Sequence, residues 1–151
     1  MFNGKSDTLS KAVISNIFWP DLVVADFIHS RKLPPSLDES HIISALMNSA
    51  THINHTLSQK QAQYQHDNLT SSNDIAGMNV QGVSWASSLY VSAVFAQAKS
   101  LLLPEFSSVV QRKEANNAYE QEEDSVDSLQ AEANSHINRL LEVSDVRVTL
   151  L

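Results

Sequence analysis

One stretch constrains this chain more than any other: Val83 to Leu103, VSWASSLYVSAVFAQAKSLLL, with fourteen apolar residues, seven polar ones and a single charge, Lys99. On a helical projection Ser84, Ser87, Ser88, Ser92, Gln97, Lys99 and Ser100 fall all round the circumference, so no solvated face emerges. A helix apolar all round is buried by its neighbours. The remaining segments must cover it. At 1.5 Å per residue it is about 30 Å long, enough to span a bilayer. Five serines, a glutamine and a lysine argue against that. Pro104 follows and is expected to end the helix, since proline lacks the N–H and clashes with the preceding turn.

The chain has 151 residues, most simply one domain able to bury a real core. Cysteine is absent, which excludes disulfides, thiolate metal sites and thiol nucleophiles. The start, MFNGKSDTLSK, lacks the apolar run of a signal peptide, so a soluble protein made in the cytoplasm is expected. Three glycines and four prolines are few for tight hairpins and favour long helices. Residues 1–113 carry eight basic and eight acidic side chains, and residues 114–151 two basic and nine acidic, so the net charge of −7 sits in the last quarter. No basic stripe is available for phosphates, which argues against direct sequence-specific nucleic-acid binding.

Residues 1–16 are polar and mixed, and read as a flexible N-terminal arm. IFWPD follows; Pro20 biases Trp19 toward an extended conformation. Phe18 and Trp19 are either a plug on the domain's own core or anchors for a neighbouring subunit. A short helix is expected near Leu22 to Lys32, stopped by Leu33-Pro34-Pro35. Ser36 and Glu39 fit a capping box for a long helix from about Leu37 to His66. Its apolar stripe is Ile42, Leu46, Ala50, Ile53, Leu57 and Tyr64, and the opposite face carries His41, His52, His55 and His66. His52 and His55 could share a metal, but no third ligand completes a zinc site, so a solvated face is the reading, with a pH-sensitive interface as the alternative. Asp67 to Gly82 reads as a mobile polar loop.

Beyond Lys113, Ala118, Tyr119, Val126, Leu129, Ala133, Ile137, Leu140 and Leu141 form one stripe. Glu122 interrupts it, so the helix is expected to restart at Ser125, a good N-cap, and run to about Glu142. The acidic run Glu120, Glu122, Glu123, Asp124, Asp127 suits a helix N-terminus. It also suits contact with a basic partner. The chain closes on Val146-Arg147-Val148-Thr149-Leu150-Leu151, whose alternation predicts a short strand in need of a pairing partner. No Walker pattern, GxGxxG or GxSxG is present. No catalytic, cofactor-binding or metal residue is assigned. The expected fold is all-α: an antiparallel helix bundle around the buried helix at about 84–103, with a short C-terminal strand.

The order of segments resembles a known family. FWPD at 18–21, the LPPSLDESHI link into HIISALMNSATHINHTL, the polar loop, SLYVSAVFAQAKSLLLPEF, and the start DSVDS at Asp124–Ser128 together look like the GPL-type head completion/stabilisation proteins of contractile-tailed phages, over residues 17–151. The resemblance implies a non-enzymatic virion assembly protein of one head-completion domain. Such a protein, assembled in the bacterial host cytoplasm, joins the portal vertex after DNA packaging and stabilises the filled head. It forms a ring with its own copies at the head–tail junction, where tail-joining and other head-completion proteins dock. Neither a membrane nor a cofactor is implied. Under that reading the interface candidates are Phe18, Trp19, Glu120, Glu122, Glu123, Asp124, Asp127, Val146, Arg147, Val148 and Leu150. The histidine-rich helix face departs from the family pattern. A helical regulatory module and a metal-dependent bundle enzyme using His52 and His55 stay as alternatives.

Overall fold

The computed structural model describes residues 11–121 and 124–150, with side-chain surroundings for 11–106 and 124–142. Within them the order is β1 (Val13–Ile14), β2 (Leu22–Val23), α1 (Val24–Ser30), α2 (Glu39–Thr56), α3 (Ser58–His66), a 3-10 turn at Ser72–Asp74, β3 (Asn79–Val80), β4 (Val83–Ser84), α4 (Trp85–Gln121) and α5 (Val126–Leu150). The chain is mostly helical, with two small antiparallel hairpins, β1–β2 and β3–β4.

The apolar stretch is the middle of the fold. Trp85–Phe106 has the length and apolarity of a membrane span, yet 67% of it lies inside the protein, as in the core helix of a water-soluble domain. Ala86, Tyr90, Ala93, Val94, Ala96 and Ala98 are fully enclosed. Both α2 and α5 pack against this helix. From α2 come Ile42, Leu46, Ala50 and Ile53; from α5 come Leu129, Ala133, Ile137 and Leu140. Each set recurs every three or four residues, the spacing that puts them on one helical face. Small residues on α4 let both partners approach closely.

Pro104 does not end the helix; α4 continues through it to Gln121. Leu102, Leu103 and Phe106 are buried on both sides of the proline, and this packing outweighs a local cost of about 3 kcal/mol. Lys99 Nζ donates to Asp124 Oδ2 at 2.9 Å. A straight helix from Lys99 to Gln121 is about 33 Å long, and the three residues to Asp124 cover at most about 11 Å, so α4 is not straight between Lys99 and Gln121.

Five further expectations are corrected. The long helix is capped by Asp38, not Ser36: its carboxylate accepts from the Ser40 N–H at 3.1 Å. It also breaks at the buried Leu57 into α2 and α3. Within the expected arm 1–16, Val13 and Ile14 pair with Val23 and Leu22; residues 1–10 lie outside the described residues. The mobile loop is an ordered segment of turn and hairpin, fastened by the network below. The C-terminal strand is absent: 146–150 continue α5, and Leu151 lies outside the described residues. Alternation over six residues is a weak signal beside a helix already running with its hydrogen bonds made, since adding one residue to a helix costs far less than starting a new element.

Other local readings hold. Ser125 caps α5 reciprocally with Ser128, at 3.0 and 2.8 Å. Lys32 and Asn68, at φ 55° and 72°, close α1 and α3 with left-handed caps, and buried Leu33 follows the first.

Candidate protein-interaction surface

The N-terminal hairpin is fixed by a closed triangle of side chains. Asn16 Nδ2 donates to Tyr90 Oη at 3.0 Å, Tyr90 Oη to Asn54 Oδ1 at 2.6 Å, and Asn54 Nδ2 to Asn16 Oδ1 at 2.9 Å. This joins the chain's start to α2 and α4. Burial pushes the Tyr90 phenol up to about 12, against the Asn16 amide N–H that donates to its oxygen.

Phe18 and Trp19 lie in the core at 2% and 3% exposure. Trp19 stacks on Tyr90 at 5.2 Å between ring centroids, and Phe18 on Tyr64 at 6.0 Å. They are the plug of the domain's own core and present no surface to a second subunit, which corrects their place among the interface candidates.

A charged seam ties α1 to α4 and α5. Arg31 makes a two-pronged contact with Glu132, at 2.9 and 2.7 Å, and reaches the Ser92 carbonyl. The Arg31 guanidinium holds the Glu132 carboxyl below its ordinary value, with burial opposing and His136 assisting at 3.1 Å. Lys99, almost buried, donates to the Arg31 carbonyl and to Asp124, and sits 5.6 Å from the Phe106 ring centre. Asp124 is thus a structural partner of α4, whereas Asp127 is exposed. Glu120 lies on α4 and Val146, Arg147, Val148 and Leu150 on α5 by their backbone, with side chains outside the described ones; Glu122 and Glu123 lie outside the described residues altogether.

The histidine face of α2 and α3 is solvated at His41, His52, His55 and His66. His41 Nδ1 lies 3.0 Å from Glu105, whose hydrogen bond and charge raise the imidazole's pKa. Among the described residues no three His, Asp or Glu side chains are grouped to hold a metal. A shallow depression of about 390 Å³ is lined by Ala62, Gln63, His66 and Asp67.

Sequence reasoning missed an exposed apolar feature, the β3–β4 ribbon. Met78, Val80 and Val83 are 82%, 73% and 45% exposed. The ribbon is rigidly held. Gln81 and Gly82 form its two-residue turn at φ 53° and 84°, the left-handed pair a type I′ turn requires. Gly77 is needed beneath Trp85, where a Cβ would collide with the indole ring. Trp85 Nε1 donates to the Ala76 carbonyl at 2.8 Å. Behind the ribbon, Ser84 Oγ donates to the Ser72 carbonyl at 2.7 Å, and Ser87 Oγ to Asn73 Oδ1 at 2.6 Å. The sequence carried a signal in the Val-Gln-Gly-Val string, one turn pair between β-branched residues.

Comparison with known proteins then places the chain. The family model described as phage head completion protein (GPL) matches residues 13–151. A relative named probable head completion/stabilization protein, from Haemophilus phage HP1 (strain HP1c1), is 32% identical over 142 residues, covering 93% of each chain. No solved structure matches. The matched region begins at β1 and takes in every described element but the residues before it, and on this ground the chain belongs to the phage head completion protein (GPL) family and has a structural part in virion assembly.

Proposed function

We propose that this protein binds the portal vertex after DNA packaging, closes and stabilises the filled head, and forms with its own copies the ring on which tail-joining and other head-completion proteins dock. The supporting observation is the family match across 13–151, joined to a relative of the same length named for head completion and stabilisation. The work is mechanical and not catalytic: the chain supplies a rigid helical body and surfaces. The acidic surface around Asp127, with Glu120, Glu122 and Glu123, and the end of α5 from Val146 to Leu150 are the proposed docking regions.

The test is to mix the purified protein with assembled portal and follow both by sedimentation and electron microscopy. Co-sedimentation and added ring density on the portal are expected. Protein that stays monomeric and never binds portal contradicts the reading; monomer in the absence of portal does not, since the ring needs its template.

A further inference from the structure

Two ion pairs tie the first turns of α5 to the body, and they meet at one residue. Arg31 grips Glu132 with both terminal guanidinium nitrogens, at 2.9 and 2.7 Å, and its own carbonyl accepts from Lys99 Nζ at 3.0 Å. The same Lys99 nitrogen donates to Asp124 Oδ2 at 2.9 Å. About two turns of helix separate the two carboxylates. Lys99 is 6% exposed and is the one charge in the apolar stretch from Val83 to Leu103. Taking an ammonium out of water costs several kcal/mol, roughly what its partners return, and an apolar side chain of like length often serves stability as well or better. Stability therefore does not account for a lysine at this point.

Register does. The contact between α4 and α5 is otherwise largely apolar, and apolar burial has no direction. The α5 stripe of Leu129, Ala133, Ile137 and Leu140 repeats about once per turn, so a slip of one turn, about 5.4 Å, sets apolar residues against the same surface again. The small side chains of Ala86, Ala93, Ala96 and Ala98 on α4 give such a slip little to catch on. The ion pairs do not survive it. A displacement of that size takes Glu132 out of reach of Arg31 and leaves Lys99 enclosed without the Asp124 carboxylate, the costly state of a buried charge. We propose that Arg31 and Lys99 are positioning residues that lock the register of α5 on α4, and so hold the start of α5, with exposed Asp127, where a partner meets it. This part in docking rests on the portal-binding reading above.

The chain holds no cysteine, so two thiols can be placed at chosen sites. Asn48→Cys on α2 and Asn138→Cys on α5 both fall at exposed positions and carry nitroxide labels, whose separation is read by pulsed electron paramagnetic resonance. One narrow distance is expected in the otherwise unaltered chain. When Arg31→Met and Lys99→Met are added, Asp124 and Glu132 keep 38% and 34% of their side chains in water and stay hydrated. A cooperative urea transition with little change of midpoint is expected, together with a distance distribution broadened or displaced by up to about 5 Å. Without labels, the same two substitutions are expected to weaken portal co-sedimentation several-fold. A narrow, unmoved distance overturns the inference, since packing alone then sets the register. If the double variant does not fold, Lys99→Met alone is read by the same criteria; failure of that variant to fold also overturns the inference, since the cations then hold the fold and do not choose between registers. A broadened distance with undiminished portal binding overturns the step from register to docking. If the unaltered chain never binds portal, the proposed function falls, while a broadened distance still upholds the lock.

Discussion

At the scale of single residues, the fold depends on a few polar side chains that sequence periodicity does not register. Tyr90 is one. Its phenol is neutral in the folded state with its pKa raised from 10 to about 12. The sign follows from linkage: a group whose folded value is raised gives stability that is full below the unfolded value and lost as pH climbs from about 10 through about 12. Tyr90→Phe is expected to lose about 1–2 kcal/mol at neutral pH, from the unpaired Asn16 and Asn54 amides, and to flatten the stability loss above pH 10, both read by urea titration. Glu132 has the opposite sense. Its folded pKa is lowered, so its contribution is present above the unfolded carboxyl range and is lost as pH falls through the folded value. With about a third of its side chain in water, Glu132→Gln should cost only about 0.5–1 kcal/mol, and the variant should show a shallower acid limb in the same titration. Gly77→Ala meets both the Trp85 ring and an unfavourable φ of 131°. A loss of about 2 kcal/mol, with altered tryptophan fluorescence, is expected.

At the scale of elements, legibility followed the length over which a pattern is repeated. The stripes of α2 and α5 were readable because Ile42 to Ile53 and Leu129 to Leu140 repeat a 3.6-residue period over three turns and more. The central helix was readable because a circumference without a polar face has one physical solution. Pro104 was misread because its local cost is fixed, whereas the gain from burying Leu102, Leu103 and Phe106 is set by partners distant in sequence. Asp38 displaced Ser36 as the cap because both are good caps and two residues decide between them. The segment after Asp67 was unreadable for a different reason: Ser72 to Ser87 and Asn73 to Ser84 are bonds across eleven to fifteen residues, which no period encodes. Of the interface candidates, Phe18 and Trp19 went to the core because the sequence offers large aromatics without saying on which side of a turn they fall. Two experiments probe this scale. Leu140→Ala should destabilise the domain by about 2–4 kcal/mol in denaturant titration, since α5 docks through a single stripe. Removing 146–151 shortens α5 by its last turn and a little more; a small fall in far-ultraviolet helical signal, an intact unfolding midpoint and weakened portal co-sedimentation are expected. Collapse of the helical signal would instead place this end in the core.

For the whole molecule, the uneven charge organises the account. Residues 1–113 are neutral on balance and hold the hairpins, the uncharged ribbon and most of the core, while the last quarter adds the buried stripe of α5 and carries the net −7. Portal binding through the acidic region should weaken as salt rises. The most direct measurement of the central claim is made in infected cells. Phage whose copy of this gene is inactivated should, by electron microscopy of lysates, yield heads that are unstable or emptied and tails left unjoined, with whole particles restored when the chain is supplied from a plasmid. Normal numbers of filled, tailed particles without the protein would contradict the account.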